Sequence, residues 1–246
     1  MKKNLLAFGT CAFALALGLV ACGDDDSSNG PTNDHDGTDI FYQNPDVDYG
    51  TMTDARDGQV YKTVKIGTQT WMAENLNYDP GDVSGMGSDA WSGCYDNESA
   101  NCSKYGRLYT WEVAMNDASC AYFHSCHPSG TVQGVCPSGW HLPSDTEWNT
   151  LWAAVGGTST AGRKLKSTSG WYDGGNGTDS FGFAVLPAGG RHDRSFYYEG
   201  DYANFWSSTE NNSRFADNWY FRYDLDDVRN YWNFKYYAFS VRCLRD

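Results

Sequence analysis

Cys136-Pro137-Ser138-Gly139-Trp140-His141-Leu142-Pro143-Ser144-Asp145-Thr146-Glu147-Trp148 is the stretch that decides the fold. Pro143 precedes Ser144, and Glu147 stands three residues after it. That is the spacing of a capping box, in which serine and glutamate each satisfy a backbone donor at the helix start. Trp148, Leu151, Trp152 and Val155 then recur at i, i+3, i+4 and i+7, one apolar helical face. Gly156-Gly157 stops the helix. Asp145 and Glu147 resemble a catalytic carboxylate pair, but capping accounts for Glu147 and the helix dipole for Asp145.

Upstream, Leu108, Trp111, Glu112 and Met115 fit a helical period, which predicts a helix over residues 105–116. Residues 59–66 alternate between Gly58 and Gly67 and read as a strand, with residues 70–72 as its partner across a tight turn. Residues 79–102 are rich in Gly, Ser and Asp and read as loop. Downstream, Phe183 and Val185, residues 203–207, Trp219 to Tyr223, and Phe239, Val241 and Cys243 read as strand cores. A strand pair, two helices and then several strands, without internal repeats, predict a loop-rich α+β domain with a small mixed or antiparallel sheet set.

The N-terminus carries an address. Lys2 and Lys3 precede an apolar stretch over residues 5–20, too rich in Gly and Ala for a span that needs about 20 strongly apolar residues. Leu19-Val20-Ala21-Cys22 closes it and resembles the lipobox of bacterial lipoproteins. The resemblance implies removal of residues 1–21, lipid on Cys22, and a lipid-anchored place in the cell envelope, at the outer membrane. An ordinary secretory peptide with a chance cysteine is the alternative. Residues 22–50 hold eight Asp and no Lys or Arg, a composition that predicts a disordered, charge-extended tether. The acidic run after Cys22 also resembles surface-export signals of some lipoproteins; a plain solvated spacer explains it as well. The folded domain is expected over residues 51–246.

The chain has a formal net charge of −13. Without the signal and tether the domain retains about −7, by the same residue count. With no basic run, nucleic acid is a poor partner, because affinity for it rests on neutralised phosphates. Eight cysteines leave six once Cys11 and Cys22 are set aside: Cys94, Cys102, Cys120, Cys126, Cys136 and Cys243. An even number in an exported chain implies disulfides, and six cysteines allow 15 pairings. The pairing chosen is Cys94–Cys102, Cys120–Cys126 and Cys136–Cys243, two local loops and one long closure. The competing reading is a zinc site from Cys120, His124, Cys126, His127 and Cys136, which lacks the usual Cys-x₂₋₄-Cys knuckle.

Four further blocks extend the opening motif. They are Tyr105-Gly106-Arg107-Leu108-Tyr109-Thr110-Trp111, the run from Gly182 to Arg191, Phe205-Trp206-Ser207-Ser208-Thr209-Glu210 and Ser240-Val241-Arg242-Cys243, with Cys136 to Trp148 the strongest. In this order they resemble the Fibrobacter succinogenes major paralogous domain, over about residues 54–246. The resemblance implies a C-type-lectin-like fold, distantly similar to formylglycine-generating enzymes, whose Arg-Leu-Pro-Thr-x-x-Glu-Trp helix start is similar to His141 to Trp148. It does not carry activity. The enzymes need a reactive cysteine pair with copper, which these paired thiols do not match. Calcium-dependent lectins use Glu-Pro-Asn or Gln-Pro-Asp with Trp-Asn-Asp, and neither element occurs here.

Two surfaces are the candidate sites. Aromatic residues crowd the stretch from Phe196 to Phe239, and Tyr197, Tyr198, Tyr202, Tyr231, Trp232, Tyr236 and Tyr237 are the expected ligand-binding rings. Core packing is the alternative for each. Asp173, Asn176 and Asp179, spaced by glycines, are the candidate calcium ligands, with an Asx-rich turn as the plain explanation. Asp224, Asp226 and Asp227 are a weaker set. The expected function is a non-catalytic binding or adhesion module for polysaccharide; a structural or protein-interaction role in the envelope is second, and an enzyme third.

Overall fold

The computed structural model describes residues 44–246. The signal segment, Cys22 and the tether up to residue 43 lie outside the described residues. Residues 44–49, assigned above to the tether, pack on the domain. The Asn44 N–H donates to Asp179 Oδ2 at 3.2 Å, and Val47 and Tyr49 lie against the apolar core. Composition weighed Asp46 and Asp48 there and missed the apolar area between them.

In chain order the domain runs β1 (Gly50–Thr53), β2 (Val60–Ile66), β3 (Gln69–Met72), β4 (Ser92–Gly93), α1 (Ser99–Tyr105), β5 (Leu108–Thr110) and α2 (Trp111–Met115). It continues with β6 (Trp140–His141), α3 (Asp145–Ala154), α4 (Thr158–Leu165), β7 (Ala188–His192) and β8 (Ser195–Glu199). It closes with β9 (Tyr202–Glu210), β10 (Phe215–Arg222), β11 (Arg229–Phe234), β12 (Ala238–Ser240) and β13 (Leu244–Arg245). One sheet has the order β1-β2-β3-β13-β6; the other has the order β11-β10-β9-β7-β12-β5-β4, with β8 paired to β7. The α+β class therefore stands, with four α-helices among the described residues where two were expected.

The opening motif does what its spacing predicts. The Ser144 N–H donates to Glu147 Oε2 at 2.8 Å and the Glu147 N–H donates to Ser144 Oγ at 3.4 Å, a complete capping box. Trp148, Leu151, Trp152 and Val155 are buried, and Trp148 and Trp152 stack at 5.3 Å. They pack on Trp71, Phe183, Phe205, Trp219 and Phe221. A second cluster gathers Tyr61, Tyr109, Trp111, Trp206 and Phe239. Arg242 lies between the two sheets, fully buried. Its guanidinium donates to Asn75 Oδ1 at 2.6 and 3.0 Å and to the Met72 and Phe183 carbonyls. The planar fork satisfies several acceptors at once, which is why an arginine can sit there.

The three disulfides join Cys94 to Cys102, Cys120 to Cys126 and Cys136 to Cys243, as expected. The zinc reading falls with them, since thiols in disulfides are not ligands. Buried Lys235 secures the small disulfide loop: its Nζ donates to Glu210 Oε1 at 2.5 Å and to the His124 carbonyl at 2.7 Å. Glu210 in turn accepts the N–H groups of Cys126 and His127.

Three local expectations are corrected. Residues 105–116 are not one helix: Gly106 takes a φ of 75°, Leu108–Thr110 pair with β4 and β12, and only Trp111–Met115 is helical. The run read as loop to Cys102 contains β4 and most of α1. Phe183 and Val185 are buried but lie outside named strands, because Ala184 takes a φ of 49° and its N–H donates to Asp179 Oδ1.

Candidate ligand-binding face

The expected aromatic residues form one connected surface. Tyr231 stacks on Trp232 at 5.2 Å, Trp232 meets Phe215 at 4.5 Å, and Phe215 meets Phe234 at 4.6 Å. Phe234 stacks on Tyr236 at 5.1 Å, and Tyr236 meets Tyr237 edge-on. Tyr237 then stacks on His192 at 4.3 Å, His192 reaches Tyr197, and Tyr197, Tyr198 and Tyr202 follow ring to ring. All seven residues singled out from sequence lie on this path. Phe215, Phe234 and His192 are the connecting rings that sequence reasoning left out; their place on the strands beside the seven was the available signal.

Exposure divides the face. Tyr197, Tyr198, Tyr231 and Trp232 are exposed by 43–50 %. Tyr202, Tyr236 and Tyr237 are half-buried and act as its floor. The exposed rings sit on β11, the last strand at one end of the sheet, and on β8, which pairs only with β7. Neighbours Tyr197 and Tyr198 both face solvent because Tyr198 takes a φ of 69° and breaks the alternation. This kink needs Gly189 opposite it: a Cβ there would lie 2.3 Å from the Tyr197 carbonyl oxygen. Burial, with Asp193 adding to it, pushes the Tyr236 phenol up, so it remains a hydrogen-bond donor at neutral pH. Burial also lowers the His192 pKa, so the ring stacked on Tyr237 is neutral there.

Where the face meets the β7–β8 turn, a cleft of about 620 Å3 opens between Ser88, Asp89, Ala90, Trp91, Tyr122 and Tyr236. Arg191, Asp193 and Arg194 line its other side. Tyr122 packs on Tyr236 at 4.8 Å, so the cleft continues the aromatic surface.

A carboxylate pair flanks the other end. Asp145, in the first turn of α3, accepts Trp219 Nε1 and Asn230 Nδ2, each at 3.1 Å. Burial, and then Asp145 beside it, raise Asp217 to about 6. Asp217 is the cross-strand partner of Trp232. Thus Asp145 has more than a dipole role. Its meeting with Asp217 left no local trace in the sequence.

The expected calcium loop is organised differently. Asp179 is fully buried, and its carboxylate accepts the Ala184 and Asn44 N–H groups. Asn176 Oδ1 accepts the Trp171 N–H, while Asp173 is exposed in a 3₁₀ turn. The loop thus braces backbone, as Asx-rich turns do. Asp224, Asp226 and Asp227 face Arg222, Arg163 and Arg229, respectively. Among the described residues no group of three or more His, Cys, Asp or Glu is placed to hold a metal ion.

Residues 64–245 match the family described as Fibrobacter succinogenes major domain. No curated protein and no solved structure matches the chain.

Proposed function

The chain belongs to the Fibrobacter succinogenes major domain family, and we propose that it serves as a non-catalytic module that binds polysaccharide. The observation that carries this reading is the unbroken ring-to-ring path from Tyr231 to Tyr202, along which Tyr231, Trp232, Tyr197 and Tyr198 are exposed. Flat rings with polar edges suit pyranose stacking, and Asp145, Asp217 and Asn230 beside Trp232 offer acceptors and a donor for hydroxyl groups. Lipid on Cys22 and residues 23–43 would hold the domain at the outer membrane and let many weak contacts add by avidity. A C-type-lectin-like fold is part of the proposal; a calcium requirement is not, given how the oxygens of Asp179 and Asn176 are used.

The test is retention of the full chain, purified in mild detergent, on insoluble neutral glycans such as cellulose and xylan. Retention that Trp232→Ala abolishes supports the reading. No retention across such a panel would transfer the face to a protein partner in the envelope. The anchor is tested separately: Cys22→Ala should leave an unlipidated product by mass spectrometry.

A further inference from the structure

Half of the ten arginines in the sequence are paired with acids among the described residues. Arg56, Arg107, Arg163, Arg222 and Arg229 each lie within 4.0 Å of an Asp carboxylate. Arg191 and Arg194 are unpaired and, unlike the other arginines without an acid partner, stand together at one cleft. Neither has an ion pair or a side-chain hydrogen bond among the described residues, in a chain with a surplus of acid. Both line the same cleft. Burial, and then the charge of Arg194, pull the Arg191 pKa down. An anion seated between the two guanidiniums would offset that cost.

We propose that this cleft is a subsite for an acidic sugar, a uronate whose carboxylate sits on Arg191 and Arg194 and whose ring lies against Tyr236 and Tyr122. The guanidinium of Arg191 is oriented by the Trp91 ring, 4.3 Å beneath it. Arg194 is held over the cleft by a two-residue turn in which Asp193 and Arg194 take φ of 47° and 67°. Turns of that kind normally recruit Asn-Gly or Asp-Gly, so an arginine at the second position needs a reason. The walls also hold Asp89 and Asp193. A bare dianion would be repelled by them. A uronate brings a single negative charge and hydroxyl groups that can donate to those carboxylates, so the mixed lining favours the sugar acid over free phosphate. The planar fork of arginine suits a carboxylate in two-point contact.

This rests on reading the aromatic face as a glycan surface, because Tyr236 belongs to both. The overall negative charge argues against acidic polymers as the main ligand; the unpaired arginines point to acidic residues within an otherwise neutral glycan.

The test compares an oligogalacturonide with its carboxyl-reduced neutral counterpart, on the full chain in detergent, by titration calorimetry. The acidic oligomer should bind at least about tenfold more tightly. That advantage should vanish at about 0.5 M NaCl, where exposed charges are screened. Arg194→Gln, on an exposed turn, should remove most of the preference while retention on neutral glycan persists. Equal affinity for the two oligomers, or a preference unchanged in Arg194→Gln, would overturn the proposal. So would displacement by inorganic phosphate at concentrations matching the oligomer, since that marks a simple anion site. In the unaltered chain, no acidic preference with neutral binding intact removes only this subsite; no binding of either oligomer removes the glycan reading as well.

Discussion

The imidazole of His141 lies 2.8 Å from Glu147 Oε1 through Nε2, tying the last residue before Leu142 to the capping glutamate of α3. Its Nδ1 lies 2.5 Å from Asp246. Two carboxylates on the two ring nitrogens call for the doubly protonated ring. Burial works against that charge, but Glu147 and Asp246 outweigh it and the His141 pKa is raised. Burial likewise opposes the Glu147 charge, yet His141 and Ser144 hold it down to about 2. The histidine contribution is full below the unfolded value near 6.5 and is lost as pH rises through the folded one. The glutamate contribution is present above its unfolded value, near 4.3, and fades as pH falls toward 2. Thermal unfolding should therefore peak between about pH 5 and 6.5. His141→Gln should flatten the alkaline side; an unchanged alkaline decline in that variant would refute the assignment.

Arg242 should be among the costliest residues to truncate. Arg242→Ala would leave Asn75 Oδ1 and two carbonyls without their donor and open a void between the clusters. The expected loss is about 3–5 kcal/mol by denaturant titration. A loss below about 1 kcal/mol would mean that water replaces the guanidinium without strain.

The disulfides should differ in weight. Cys136–Cys243 closes a separation of 107 residues and Cys94–Cys102 one of 8. On the chain-entropy model the long closure contributes about 2 kcal/mol more. Cys136→Ser should therefore lower the unfolding midpoint further than Cys94→Ser, compared side by side under non-reducing conditions.

The aromatic face should separate binding from stability. Trp232 and Tyr231 are half-exposed on an outer strand, so Trp232→Ala should change stability by less than about 1 kcal/mol while ending glycan retention. Tyr237 lies between His192, Phe234 and Phe239, and Tyr237→Ala should cost about 1–3 kcal/mol. Calorimetry on the same variants used for retention makes the comparison direct.

These differences follow what local sequence can encode. The capping box and the β2–β3 hairpin are each written within a short run of sequence, and the aromatic density in simple composition, so each was legible. Leu108 to Thr110 carry a helical period, but pairing with β4 and β12 overrides it. The helix α4 was hidden by Gly162, a poor helix former. A Cβ at Gly162 would come within 2.5 Å of the Asp227 carbonyl, so the glycine serves a packing partner far along the chain. Asp145 and Asp217, and the two unpaired arginines opposite Trp91, depend on elements brought together only by the tertiary fold. Spacing carries no record of such meetings.

The position of β13 between β3 and β6 sets an order of events. The hairpin that begins the domain has no neighbour on that side until the segment bearing Cys243 arrives from the far end of the fold. Oxidation of Cys136 with Cys243 then acts as a latch that shuts only once the C-terminal segment has joined the sheet. Clipping the C-terminal segment would accordingly open the middle of the sheet, not fray its margin.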